Sequence, residues 1–116
     1  MVTDLADLTA RMREFTEARD WGRYHDLKSL TLALVGEVGE VAELVQWLPA
    51  GESASAEPGS HLHARLGDEL ADVLLYLVRL ADIAQVDLYE AASAKLLTNE
   101  GRFPPAGHRG VAPVRD

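Results

Sequence analysis

No cysteine occurs among the 116 residues, which excludes disulfide staples and thiolate metal ligation together. No apolar run approaches the roughly 18 residues that a membrane-spanning helix needs. Basic residues are scarce: 11 Lys and Arg stand against 19 Asp and Glu, for a net charge of -8. The basic footprint of a nonspecific nucleic-acid binder is therefore missing. Neither nucleic acid nor a membrane is expected as a partner. A small anionic substrate stays open, because a bound cation reverses the sign of a local site. The start, MVTDLADLTARMREF, lacks the basic residues and continuous apolar segment of a secretion signal, so a cytoplasmic location is expected. No internal repeat and no alternating strand pattern are present.

Apolar residues make up 47% of the chain, enough to drive folding of one domain. Their spacing is helical throughout. Leu5, Leu8, Met12 and Phe15 form one stripe over about residues 4–19, with Thr3 or Asp4 placed to cap it. A connector, DWGRYHDLK (20–28), leads to a second helix over about 30–48, capped by Ser29 and stopped at Pro49. Residues 49–60 form a polar loop rich in Gly and Pro. A third helix is expected over about 61–85. A fourth opens on Asp87, with Glu90 completing a capping box, and runs to about Asn99. The fold class is all-α, a four-helix bundle, with a tail at 105–116 expected to be flexible.

Within this apolar pattern, two acidic pairs occupy the wrong places. Glu37 and Glu40 lie in LTLALVGEVGEVAELVQWL, and Glu69 and Asp72 in LGDELADVLLYLVRLADIA. At about 100° per residue, Leu30, Leu34, Val41, Leu44 and Leu48 all fall within about 60° of Glu37. Leu62, Leu66, Val73, Tyr76, Leu80 and Ile83 do the same around Glu69. Glu40 and Asp72 are each offset by about 60°, in the same sense. If the two helices pack antiparallel, the pairs face each other. Carboxylates removed from water must be neutralised, paired or bound to metal. An ion pair with Arg13, Arg65, Arg79 or Lys95 is one solution, and a cation is the other. Glu17, Glu52, Glu57, Asp82 and Glu100 read instead as solvated surface.

An all-oxygen donor set favours Mg²⁺, with Mn²⁺ as substitute, over zinc. Di-iron bundles use Glu-x-x-His, and no His here stands three residues after a Glu. Mg²⁺ held by a few carboxylates keeps positions for substrate phosphates, so a phosphate ester or anhydride is the natural ligand.

Here the chain resembles the MazG-like all-α nucleoside triphosphate pyrophosphohydrolases, whose signature is Glu-x-x-Glu, a spacer, then Glu-x-x-Asp. EVGE (37–40) and ELAD (69–72) carry it. RDWGRYH (19–25), LALVGEVGEVAELVQW (32–47), DELADVLLYLVRLA (68–81), VDL (86–88) and the later Lys95, Asn99, Arg102, Phe103 and Pro104 resemble the dCTP pyrophosphatase branch. The resemblance implies a domain over residues 1–104 and Glu37, Glu40, Glu69 and Asp72 as Mg²⁺ ligands. It implies a pocket of Trp21, His25, Trp47 and Tyr76, and Lys95, Asn99 and Arg102 near a triphosphate. Glu40 or Glu43 is the implied proton acceptor. Met12 stands where close members of the branch can carry a polar histidine lining the pocket. The implied reaction releases pyrophosphate from dCTP or a modified pyrimidine nucleotide, in a dimer or a dimer-of-dimers tetramer. A dUTPase-like or broad-specificity hydrolase on the same fold is the near alternative, and a noncatalytic helical interaction module the distant one.

Overall fold

The computed structural model describes residues 4–53 and 56–114. Among them every regular element is helical: α1 (Leu5–Ala18), a 3₁₀ turn (Gly22–Tyr24), α2 (Leu27–Val45), the single turn α3 (Ala50–Ser53), α4 (His61–Ile83) and α5 (Leu88–Arg102). Four long helices thus carry the chain, and α3 is a turn within the loop expected at 49–60. Thr3 and the side chain of Glu52 lie outside the described residues.

Each long helix starts on a short polar side chain that accepts from an otherwise orphaned backbone N–H. The Asp4 carboxylate accepts from the Asp7 amide at 2.8 Å, Ser60 Oγ from that of His63 at 3.1 Å, and Asp87 from that of Glu90 at 3.0 Å. On α2 the expected cap is corrected. Asp26, not Ser29, caps the helix, accepting from both the Ser29 amide and its hydroxyl at 2.8 and 2.9 Å. The Asp26 charge also faces the positive end of the helix dipole. These bonds hold the Asp26 carboxyl below its usual range. α2 also ends earlier than expected, at Val45, which leaves Trp47 on the turn that follows it.

Two compact units make up the chain, Met1–Gln85 and Val86–Asp116. In the first, α4 packs against α2 and, less extensively, against α1. The buried apolar side chains are few among the described residues: Leu30 of α2 at 1% exposure, and Val78 and Ala81 of α4. Thr16 of α1 is fully buried, and its hydroxyl makes no hydrogen bond. The second unit holds α5 and the tail, where the Phe103 and His108 rings meet edge to face at 5.6 Å.

α1 closes in a Schellman motif. The Trp21 amide donates to the Thr16 carbonyl and the Asp20 amide to that of Glu17, at 3.1 Å each. Asp20 takes the left-handed position at φ 52°, where Asp is tolerated better than most residues. The accompanying apolar contact is Trp21 against Phe15, edge to face at 5.7 Å. The motif thereby turns the backbone sharply and fixes where the 3₁₀ segment and His25 begin.

Two substitutions separate the contributions of this small core. Leu30→Ala is expected to cost about 2–4 kcal/mol in urea unfolding, through lost burial and a cavity. Thr16→Val is expected to be neutral or stabilising by up to about 1 kcal/mol, since it removes a buried hydroxyl that forms no bond.

Candidate metal centre

Helical geometry brings three of the expected acids together. Glu37 of α2 and Glu69 and Asp72 of α4 offer one carboxylate oxygen each, all within 4.8 Å of one another. Oxygens on opposite sides of a Mg²⁺ stand about 4.2 Å apart, so modest side-chain adjustment closes the set around one ion. Glu37 and Glu69 are half-buried and Asp72 is exposed. The acids are therefore less buried than their place in the apolar stripes suggests, because a single chain covers those stripes only in part. Partial loss of water pushes the Glu37 carboxyl above the ordinary range, and the charges of Asp72, Glu69 and Glu40 push it the same way. Arg65, one turn before Glu69 on α4, reaches it only at 3.9 Å, on the outer side of a pair with a half-exposed guanidinium. That contact is too weak to neutralise three carboxylates.

Glu40 does not join the three-oxygen set. It sits exposed one turn beyond Glu37, close enough for its charge to be felt there. Glu43 is also exposed, another turn along. Tyr76 is half-buried on α4, two turns from Glu69, and Met12 is half-buried on α1. Trp21 and His25 flank the 3₁₀ turn between α1 and α2. Trp47 is 87% exposed, so within one chain it lines no enclosed pocket. Lys95, Asn99 and Arg102 belong to the second unit, where their spacing places them on one face of α5. The Arg102 guanidinium lies 5.0 Å from the Phe103 ring centre.

One polar element escaped the sequence pattern. Asp82, expected on the solvated surface, accepts from Arg13 twice, at 2.6 and 3.1 Å, and from Arg79 at 3.2 Å. Arg79 is buried, and its Nε donates to His25 Nδ1 at 3.0 Å. The Arg13 contact, more than any other, holds the Asp82 carboxyl below its usual range. The only signal in the sequence was a cation and an anion at i, i+3 on a helix face that also carries Val78 and Ala81.

An all-α fold with acids converging from two helices defines a class, the helical proteins built around a divalent-cation centre. The chain belongs to the MazG nucleotide pyrophosphohydrolase domain family, whose model matches residues 25–102. It is 44% identical over 108 residues to dCTP pyrophosphatase 1 of Bos taurus, across 93% of this chain and 64% of that protein. The corresponding human protein is 45% identical over 100 residues, across 86% of this chain and 59% of its own length. The chain thus spans less than two thirds of the curated relatives it matches. A pyrophosphatase of Archaeoglobus fulgidus shares the fold with a TM-score of 0.76 at 30% identity, covering 90% of this chain and 95% of that one. The resemblance to the family and to its dCTP pyrophosphatase branch, read first from motifs, holds along most of the chain.

Calorimetry tests the centre directly. Mg²⁺ or Mn²⁺ is expected to bind the native chain and to lose at least about tenfold in affinity in Glu37→Gln. A proton raised onto Glu37 competes with the metal, so affinity is expected to fall as pH drops and to begin falling above the ordinary carboxylate range.

Proposed function

We propose that the chain is a Mg²⁺-dependent nucleoside triphosphate pyrophosphohydrolase that converts dCTP, or a modified pyrimidine deoxynucleotide, to the monophosphate and pyrophosphate. The observation that carries this reading is the convergence of Glu37, Glu69 and Asp72 from the EVGE and ELAD segments. The donor set is all oxygen, few in number and partly exposed, which suits Mg²⁺ sharing its coordination with phosphates. Family membership and the dCTP pyrophosphatase relatives support the substrate class. The working domain is residues 1–104, and its place in nucleotide-pool house-cleaning puts it in the cytoplasm.

Glu37, Glu69 and Asp72 would hold the cation, with Glu40 at its margin. When bound, it supplies Lewis-acid neutralisation of the triphosphate and eases deprotonation of water. Glu40, exposed and not part of the three-oxygen set, is the better placed proton acceptor, and Glu43 is the alternative. The resemblance to the family supports a phosphate-binding role for Lys95, Asn99 and Arg102 of α5. Trp21, His25 and Tyr76 would meet the base. Aromatic faces give contact area at little entropic cost.

A homo-oligomer completes this reading. Leu32, Val35 and Val38 form an exposed apolar row along α2, and Leu96 and Leu97 are exposed on α5. Apolar surface so disposed marks an interface. A second subunit would also cover Trp47.

A triphosphate panel with colorimetric detection of pyrophosphate decides the function. Mg²⁺-dependent pyrophosphate release is expected, fastest with dCTP or a 5-modified analogue, with Glu40→Gln lowering kcat by about 100-fold or more. Release of orthophosphate alone, or no turnover, would contradict it. Light scattering at micromolar concentration is expected to return a mass of at least two chains.

A further inference from the structure

We propose that Arg79 is a positioning residue that locks His25 as a neutral Nε2–H donor, selecting a neutral acceptor on the nucleotide base. The inference rests on the reading above that His25 faces substrate. Arg79 has a side chain only 6% exposed, and two of its N–H groups donate to named partners. Its Nε–H points at His25 Nδ1 at 3.0 Å, and its Nη1 donates to Asp82 Oδ2 at 3.2 Å.

The proton count follows from the donor inventory. A guanidinium never gives up its protons in a protein, so Arg79 Nε is a donor only. His25 Nδ1 must then present a lone pair, and the single ring proton must sit on Nε2. An imidazolium would set N–H against N–H. The surrounding charge acts in the same direction. Arg79 and Arg13 bring two positive charges to a single Asp82 carboxylate, whose oxygens are already bonded to Arg13 at 2.6 and 3.1 Å. Their excess positive charge falls beside the ring. The other ionic groups near the turn, Asp20 and Arg23, are paired with each other, and Asp26 is engaged with Ser29. Partial burial and the Arg79 charge both hold the His25 imidazole below its usual range.

Placement makes this useful to a nucleotide site. Arg79 lies seven residues beyond Asp72, about 10 Å further along α4 and on nearly the same side of the helix. A nucleotide with its phosphates at the acids extends over that distance toward the turn carrying Trp21 and His25. A fixed, uncharged donor there hydrogen-bonds a base carbonyl or ring nitrogen. It adds no attraction for phosphate, which a charged histidine would pull out of register.

Nitrogen-15 correlation spectroscopy of the imidazole rings, with kinetics on the same samples, tests the inference. In the native protein at neutral pH, His25 is expected to show the Nε2–H tautomer. Arg79→Met leaves the Arg13–Asp82 pair in place. It is expected to shift His25 toward a tautomer mixture and to raise KM for dCTP about tenfold, with kcat and Mg²⁺ affinity within about twofold. His25→Gln is expected to raise KM similarly, and the double variant to add nothing further. An Nδ1–H or charged His25 in the native protein would overturn the inference, even if no variant folds. So would an unchanged spectrum or an unchanged KM in Arg79→Met. A native protein that turns over no triphosphate would defeat the proposed activity instead, while the spectrum still reports on Arg79 and His25.

Discussion

Three carboxylates held within 4.8 Å of one another repel unless something positive lies between them. The protein supplies little of that charge itself, since Arg65 touches the cluster at 3.9 Å from a half-exposed position. Partial loss of water, and then the charges of Asp72, Glu69 and Glu40, push the Glu37 carboxyl above its ordinary range. Two helices are nevertheless packed so as to keep the acids close. Their positioning depends on Leu30 and Val78, the anchors of α2 and α4, and on caps that start each helix at a defined residue. The fold therefore maintains an arrangement that is unfavourable alone and favourable around a cation.

Much of this was legible in the chain's periodicity. Glu37 and Glu69 interrupt apolar stripes at equivalent positions, and the stripes are long enough to fix their helices. Helix existence was readable for the same reason. Boundaries were less so: Asp26 and Ser29 both make acceptable caps, and the structure uses Asp26, which accepts from the Ser29 amide and hydroxyl. Glu40 shows another limit. Its offset matches that of Asp72, yet Asp72 joins the three-oxygen set and Glu40 does not. Which oxygens meet depends on how the two helices approach, and spacing alone does not give that.

The second polar element was hidden for a different reason. Asp82 looks like an ordinary surface acid in sequence, because its partner Arg13 is 69 positions away. Only the packing of α1 on α4 brings them together and leaves Arg79 to face His25. A buried guanidinium between a carboxylate and an imidazole is costly to desolvate and gives stability only when each donor is used. Its value here lies in specification, since it dictates which ring nitrogen carries the proton. The two polar centres divide the work: the acids set where charge is held, and the arginine network sets the chemical character of the turn beside Trp21.

Anomalous scattering from crystals soaked in Mn²⁺ tests the central claim most directly. The account predicts a single strong peak coordinated by oxygens of Glu37, Glu69 and Asp72, lost in Glu69→Gln. No peak among these side chains at saturating Mn²⁺, or a peak that survives the substitution unchanged, would contradict it.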